Sequence, residues 1–180
     1  MKAIIEAKEY KRLIENTKKF TTPYGAEKMQ YIHLRFIDGE VRAAALDGYR
    51  ISVEYATYTG DNFNCYVKTN MPKITGVKNI TVELVDNKVL ITANDDLIGC
   101  KQPEGEYYDI DKFIDDYSAK PEIGVIGANS QFLIDALSAI KGQSIKDKCA
   151  KLEIRGEMDP IIIRSGEKNI KLILPVNINV

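Results

Sequence analysis

The chain has 180 residues, 44% of them hydrophobic and 28% charged, with a formal net charge of -1; that is the composition of a folded globular protein and excludes a disordered one. Near-zero net charge argues against tight, groove-reading recognition of nucleic acid, and no apolar run approaches the roughly 20 residues that span a bilayer. The opening MKAIIEAKEYKRLIEN turns charged too early for a signal peptide, and Cys65, Cys100 and Cys149 are scattered without a CxxC pair, so reduced thiols and a cytoplasmic location are expected.

In chain order, KAIIEA reads as a strand leading into a helix over KEYKRLIENTKKF, where Tyr10, Leu13, Ile14 and Thr17 share one face. Residues 31–58 then alternate as strand, turn, strand, turn, strand. Ile32, Leu34 and Phe36 form one apolar phase, and Tyr49, Ile51, Val53 and Tyr55 another. FNCYVK is a further strand, and TNMPKITGVK leaves room for about two helical turns closed by Gly76. Residues 79–98 repeat the meander, with turns at VDNK and NDD. A linker is expected at Asp115–Pro121. GVIGA is the next strand, followed by a helix that starts at Asn129 or Ser130 and stops at Gly142. Its expected apolar face holds Phe132, Leu133, Ala136, Leu137 and Ile140. Residues 150–178 form the meander a third time.

The repeating unit is β-α-β-β-β, about 60 residues long. It divides the chain into 1–116, made of units 1–60 and 61–116, and a half-size piece, 118–180. The expected fold class is α+β, with antiparallel sheets covered by helices on one face. One unit alone leaves open edges and a marginal core, so units must pair. Two pair within the chain, and the third has no internal mate.

Little in the sequence points to catalysis. Asp47 and Arg50 in ALDGYRIS could form a reactive pair, but no nucleophile or second carboxylate accompanies them. The simpler reading is a turn in which Asp47 caps the corner and Gly48 takes a conformation other residues resist. His33, the single histidine, falls in the polar phase of its strand and is expected to face solvent. No His, Cys and carboxylate set has metal spacing, and the acidic NDD and DIDKFIDD lack the glycine and ligand ladder of a calcium loop. No phosphate-binding or nucleophile-elbow motif is present, so no cofactor and no enzymatic activity are expected.

Four segments, in order, resemble the bacterial DNA polymerase III beta subunits, the sliding clamps. Ala45-Leu46-Asp47-Gly48-Tyr49-Arg50-Ile51 is similar to the family's Ala-Thr-Asp-Gly-His-Arg-Leu corner. CKQPEGEYYDIDKF is similar to the Gly-x-Tyr-Pro-x-Tyr segment that closes the family's middle domain. ANSQFLIDAL is similar to the Asn-x-x-Tyr-Leu-x-Asp-Ala-Leu helix, and Leu174-Pro175-Val176-Asn177-Ile178 to the terminal Met-Pro-Met-Arg-Leu. The chain then corresponds to a whole middle domain and half of a last one.

The resemblance implies a non-catalytic clamp-like protein that holds double-stranded DNA weakly and tethers a polymerase or another partner. It implies a groove for clamp-binding peptides, walled by Leu46, Gly48, Tyr49, Arg50 and Ile51 on one side and Leu174, Pro175 and Val176 on the other. It also implies DNA-facing helices, which would make Lys8, Lys11, Arg12, Lys18, Lys19, Lys73, Lys78 and Lys141 weak phosphate contacts; a solvated helix face is the plainer alternative. A second reading is a reduced clamp that captures peptides without encircling DNA. The unpaired third unit predicts a homodimer through its free edge, and four chains would match the unit count of a clamp ring.

Overall fold

The computed structural model describes residues 1–105, 107–120, 126–140, 150–166 and 168–176. Strand β1 (Lys2–Glu6) runs directly into helix α1 (Ala7–Thr17), which tightens into a 3₁₀ turn at Lys18–Phe20. A second 3₁₀ turn, Glu27–Gln30, leads to the meander β2 (Ile32–Ile37), β3 (Glu40–Leu46) and β4 (Arg50–Thr57). Then come β5 (Thr59–Gly60), β6 (Phe63–Val67), β7 (Asn79–Val85), β8 (Lys88–Ala93) and β9 (Asp96–Lys101). Helix α2 (Ile110–Ser118), helix α3 (Ser130–Ile140) and strands β10 (Lys151–Glu153), β11 (Ile161–Ser165) and β12 (Asn169–Ile173) complete the described chain.

The strands build two antiparallel sheets, one of five strands in the order β5-β1-β7-β8-β9 and one of seven in the order β10-β11-β12-β4-β3-β2-β6. The first two units interlock by exchanging their leading strands. β1 pairs along β7, with Ala3 opposite Val82, and β6 pairs along β2, with Leu34 opposite Cys65. The third unit attaches differently. Its last strand adds to the edge of β4, with Leu172 opposite Ile51, so residues 151–173 extend the first unit's sheet.

One core fills the space between the sheets. Tyr10, Leu13 and Ile14 of α1 are fully buried against Ile5, Leu34, Phe36, Ile80 and Ile91. The alanines at 43 and 45 keep β3 thin beneath α1, and both are fully buried. Ala136, Ala139 and Ile140 seat α3 in the same core. Leu137, expected on that face, is 42% exposed; Ala139 takes the buried position instead.

Four expectations need correction. The middle unit has no helix: residues 68–78 are irregular with a turn at 75–76. Ten residues holding Pro72 and Gly76 cannot close enough i→i−4 bonds to offset helix nucleation, and Met71, Ile74 and Val77 pack on the core from a loop. The linker expected at Asp115–Pro121 begins inside a helix, since α2 runs to Ser118 and is capped by Asp109, whose carboxylate accepts the Lys112 N–H at 3.0 Å. Of the strand expected at GVIGA, residues 126–128 are not a strand, and 124–125 lie outside the described residues, as does the helix stop at Gly142.

The fourth correction concerns the seven-stranded sheet, which is covered on both faces. α1 and α3 lie on one. On the other, Ile110 and Ile114 of α2 pack on Ala44, Leu46, Ile51, Val53, Ile162 and Leu172. β4 is therefore buried on both sides, and its second phase carries charge into the interior. Glu54 and Lys171 are both fully buried and form an ion pair across the junction of β4 and β12. Burial pushes the Lys171 pKa down against the opposing pull of Glu54. Arg12 of α1 completes the cluster, donating to Glu54 Oε2 at 2.7 Å and to the Tyr55 carbonyl.

Candidate functional site

The corner between β3 and β4 is an Asx turn. Asp47 Oδ1 accepts the backbone N–H groups of Tyr49 and Arg50 at 3.0 and 3.1 Å. Gly48 has φ +89°, which a side chain would strain. The turn holds the Tyr49 ring out from the sheet, 62% exposed, while the Tyr49 carbonyl accepts the Leu174 N–H at 2.8 Å. The corner and the segment after β12 are therefore bonded neighbours.

Arg50 is the knot at this point. Its Nε donates to Asp47 Oδ2 at 2.9 Å, Nη1 to Asp135 Oδ2 at 2.6 Å and Nη2 to the Lys19 carbonyl at 2.8 Å. The guanidinium also lies 4.4 Å from the Phe132 ring centroid and 5.2 Å from that of Phe20. One side chain thus joins the corner, the end of α1 and the face of α3, using charge-assisted bonds and cation–π contact together. Burial raises the Asp135 pKa, but hydrogen bonds from Arg50 and Gln131 outweigh it, and the carboxyl sits below its ordinary value. With its donors engaged this way, Arg50 has the geometry of a fastener.

Beside the corner opens a cavity of about 220 Å³, lined by Leu46, Gly48, Tyr49, Arg50, Ile51, Tyr108, Asp109, Ile110, Phe113, Leu172 and Leu174. Of the eight residues expected to form a groove, the structure brings six to this cavity. Pro175 and Val176 are not on its wall; they follow Leu174 along the surface, where the Val176 N–H donates to the Gly127 carbonyl at 2.9 Å. The third wall, from Tyr108 to Phe113, was missing from the sequence reading. Its signal was present: Asp109 as an N-cap, then Ile110, Phe113 and Ile114 at helical spacing. The surrounding acids masked it as surface charge.

The cationic residues are dispersed. Lys8, Lys11, Lys19, Lys73 and Lys78 are exposed and Lys18 is half-buried. Lys8 and Lys11 stand 3.9 and 3.8 Å from Glu6 and Glu15. Arg12 is not turned outward, because Glu9 and Glu54 hold it. Lys73 and Lys78 sit on a loop, not on a helix, and Lys141 lies outside the described residues. α3 presents no cation along Ser130–Ile140; it exposes Ile134 and Leu137.

His33 does not face solvent. Its ring stacks on Tyr66 at 4.9 Å and meets Tyr107 at 4.8 Å. Cys65 is buried in the core, and burial pushes its thiol pKa up, so it is not poised to react. Among the described residues no group of three or more His, Cys, Asp or Glu is placed to hold a metal. Among the same residues no helix is long and apolar enough to cross a membrane, which says nothing of strands.

Comparison with solved structures defines the class: the fold is that of the DNA polymerase III beta sliding clamps. A protein assigned as a DNA polymerase III beta subunit from Eubacterium rectale superposes with a TM-score of 0.80 at 18% identity, covering 100% of this chain and 66% of that one. The DNA polymerase III beta chain of Streptococcus pneumoniae gives 0.78 at 15%, covering 97% and 64%. The DNA polymerase sliding clamp of Bacillus subtilis gives 0.76 at 16%, covering 99% and 64%. The chain thus spans just under two thirds of the length of these structures. No protein-family model matches it, and neither does any curated protein sequence.

Proposed function

We propose that this chain is a non-catalytic tethering protein. Its clamp-like body associates weakly and without sequence preference with double-stranded DNA. Its cavity receives short apolar peptide motifs from a DNA polymerase or another clamp-binding partner. The observation that supports this reading is the cavity itself, where corner, end of β12 and α2 converge on a mostly apolar lining. A volume of about 220 Å³ takes one or two large side chains. Leu46, Ile51 and Leu174 supply the floor, Tyr49 the rim, and Pro175 and Val176 continue the track. In place of the family's methionines, Leu174 in the lining and Val176 on the track beyond it are less adaptable.

For DNA, Lys8, Lys11, Lys18 and Lys19 at the first helix and Lys73 and Lys78 on the loop are the phosphate contacts in this reading, with Arg12 removed by its internal pairing. Few contacts and a net charge of -1 imply low affinity that salt abolishes. We divide the chain at residues 116–118 and assign the third unit's open edge at β10 to a homodimer. A second reading, a peptide-capturing module without DNA function, is favoured by α3, whose outward face carries Ile134 and Leu137 where a DNA-lining helix needs cations.

Fluorescence anisotropy separates the two. The probes are a labelled peptide with a clamp-binding motif from a replicative polymerase and a labelled DNA duplex. The first reading expects both to bind at about 50 mM salt and only the peptide at about 200 mM. Peptide binding without DNA binding at either salt selects the second reading. If Leu174→Asp leaves peptide affinity unchanged, the cavity is not the site and both readings fall.

A further inference from the structure

Residues 107–109 and α2 lie on the outer face of the seven-stranded sheet and supply one wall of the cavity. Ile110, Ile114 and the Asp111 ion pairs anchor α2, and two hydrogen bonds reach the residues before it. The Lys28 ammonium donates to the Gly105 carbonyl, and the Tyr107 hydroxyl donates to the Ala44 carbonyl at 3.3 Å. The Tyr107 ring leans on His33 of β2, which is itself stacked on Tyr66 of β6. The next residues, Tyr108, Asp109 and Ile110, line the cavity. His33, Tyr66 and Tyr107 thus form a three-ring cluster, His33 stacked on Tyr66 and tilted against Tyr107, with the Tyr66 and Tyr107 rings meeting edge-on at 5.6 Å, and this cluster pins the start of the wall.

The surroundings of the imidazole suit only its neutral form. Nδ1 is buried with no hydrogen-bond partner, so an imidazolium would carry an N–H without an acceptor. Arg35 on the same strand, Arg42 on β3 and Lys28 on the preceding turn bring positive charge to it, and Asp111 on α2 is the anion acting on it among the described residues. Asp111 is already bridged by Arg42 at 2.7 Å and Arg35 at 3.1 Å. Tyr66 and Tyr107 face the ring as neutral phenols, their pKa values raised chiefly by burial.

We propose that His33 is a proton-sensitive latch: neutral, it holds Tyr107 and the cavity wall against the sheet, and protonated, it releases them. Burial first, then Arg42, Arg35 and Lys28, lower its pKa from 6.5 to about 4. The latched state binds the proton less well than the released one. Latching is therefore complete above pH 6.5 and weakens as pH falls from 6.5 toward 4, where the loss levels off. If release restores an ordinary imidazole, opening becomes about 20-fold more frequent at pH 5 than at pH 7, and about 100-fold at pH 4.

Because the chain has one histidine, proton NMR follows it without ambiguity. The expected titration midpoint lies below about 5, against about 6.5 for a free side chain. Amide exchange at Tyr107 and Tyr108, corrected for intrinsic rate, should accelerate by the factors above while β7 and β8 stay protected. His33→Phe keeps a ring in the stack and removes the proton, so its exchange should be flat with pH. A midpoint near 6.5 overturns the proposal, as does exchange that accelerates equally across all strands, or acid release that persists in His33→Phe. If that variant does not fold, the wild-type titration and exchange profile decide alone.

Discussion

Both sheets are antiparallel and each contains a three-stranded meander, yet they end in opposite situations. The five-stranded sheet is buried on one face; on the other, Ile4, Thr81, Thr92 and Leu97 stand in register across four strands without a covering helix. The seven-stranded sheet is enclosed between α1 and α3 on one side and α2 on the other. Among the described residues the buried ion cluster of Glu54, Lys171 and Arg12 and the cavity beside the corner both belong to the second sheet. A sheet closed on both faces must accommodate every side chain that its strands carry. That includes charged ones, and each becomes an obligatory pairing.

The largest expected effect tests that obligation. Glu54→Met leaves Lys171 and Arg12 facing an apolar site, and the expected loss is about 3–5 kcal/mol in urea denaturation. Glu54→Met combined with Lys171→Met should recover much of it, because no fully buried charge then lacks a partner. The matching pair on the open sheet is Lys2 and Glu83, at 2.9 Å with both side chains partly exposed. Glu83→Gln should cost no more than about 0.5 kcal/mol. Equal losses at the two pairs would erase the distinction between the sheets.

Next in size is burial itself. Ile162 is fully buried beneath α2, and Ile162→Ala should cost about 2–4 kcal/mol. Ile4 on the bare face is more than a third exposed, and Ile4→Ala should stay within about 0.5 kcal/mol. A large loss at Ile4 would mean that something covers the open face in solution, and light scattering would then be expected to show an oligomer.

This contrast also explains what the sequence could and could not disclose. The alternation of NITVEL and VLITA was legible because one phase meets the core and the other meets water. In RISVEYA the polar phase, Arg50, Ser52 and Glu54, is the phase that faces α1 and α3, so alternation assigned it to solvent. The three meanders were legible from alternation, as were α1 and the start of α3. What escaped was α2, whose helical spacing was hidden among acids and whose partners, Val53 and Leu172, lie far away in sequence. His33 looked solvent-facing for the same reason: its cover, Tyr107, arrives from another element. The corner was recognised by its motif, but its role as a fastener depends on Asp135 and Phe132, which no local pattern could supply.

Arg50→Lys probes that fastener at intermediate size. A lysine keeps the charge but cannot reach Asp47, Asp135 and the Lys19 carbonyl together, nor lie flat on Phe132. The expected cost is about 1–2 kcal/mol. Hydrogen exchange should locate it at α3 and at the 47–49 corner, with the five-stranded sheet unchanged. Uniform loosening of both sheets would show that Arg50 does not join these elements specifically.

The smallest effect on stability should come from the residue with the largest expected effect on binding. Tyr49 projects from an Asx turn that needs only Asp47 and Gly48 to form, and its ring is mostly exposed. Its nearest aromatic contact is Phe132, tilted by 38° at a centroid distance of 6.0 Å, and because the ring is mostly exposed little area is buried by folding. Tyr49→Ala should therefore shift stability by less than about 0.5 kcal/mol. The Tyr49 carbonyl bond to Leu174 is a backbone bond and survives the change. If the cavity takes an apolar peptide side chain, the exposed ring becomes buried on binding, and its loss should weaken the peptide by about tenfold, the 1–2 kcal/mol of an interface aromatic. Leu97→Ala, an equally exposed apolar residue on the open sheet, is the control and should leave peptide binding unchanged. The assay is peptide titration by anisotropy for both variants; equal effects, or none for Tyr49→Ala, would remove the corner from the binding surface.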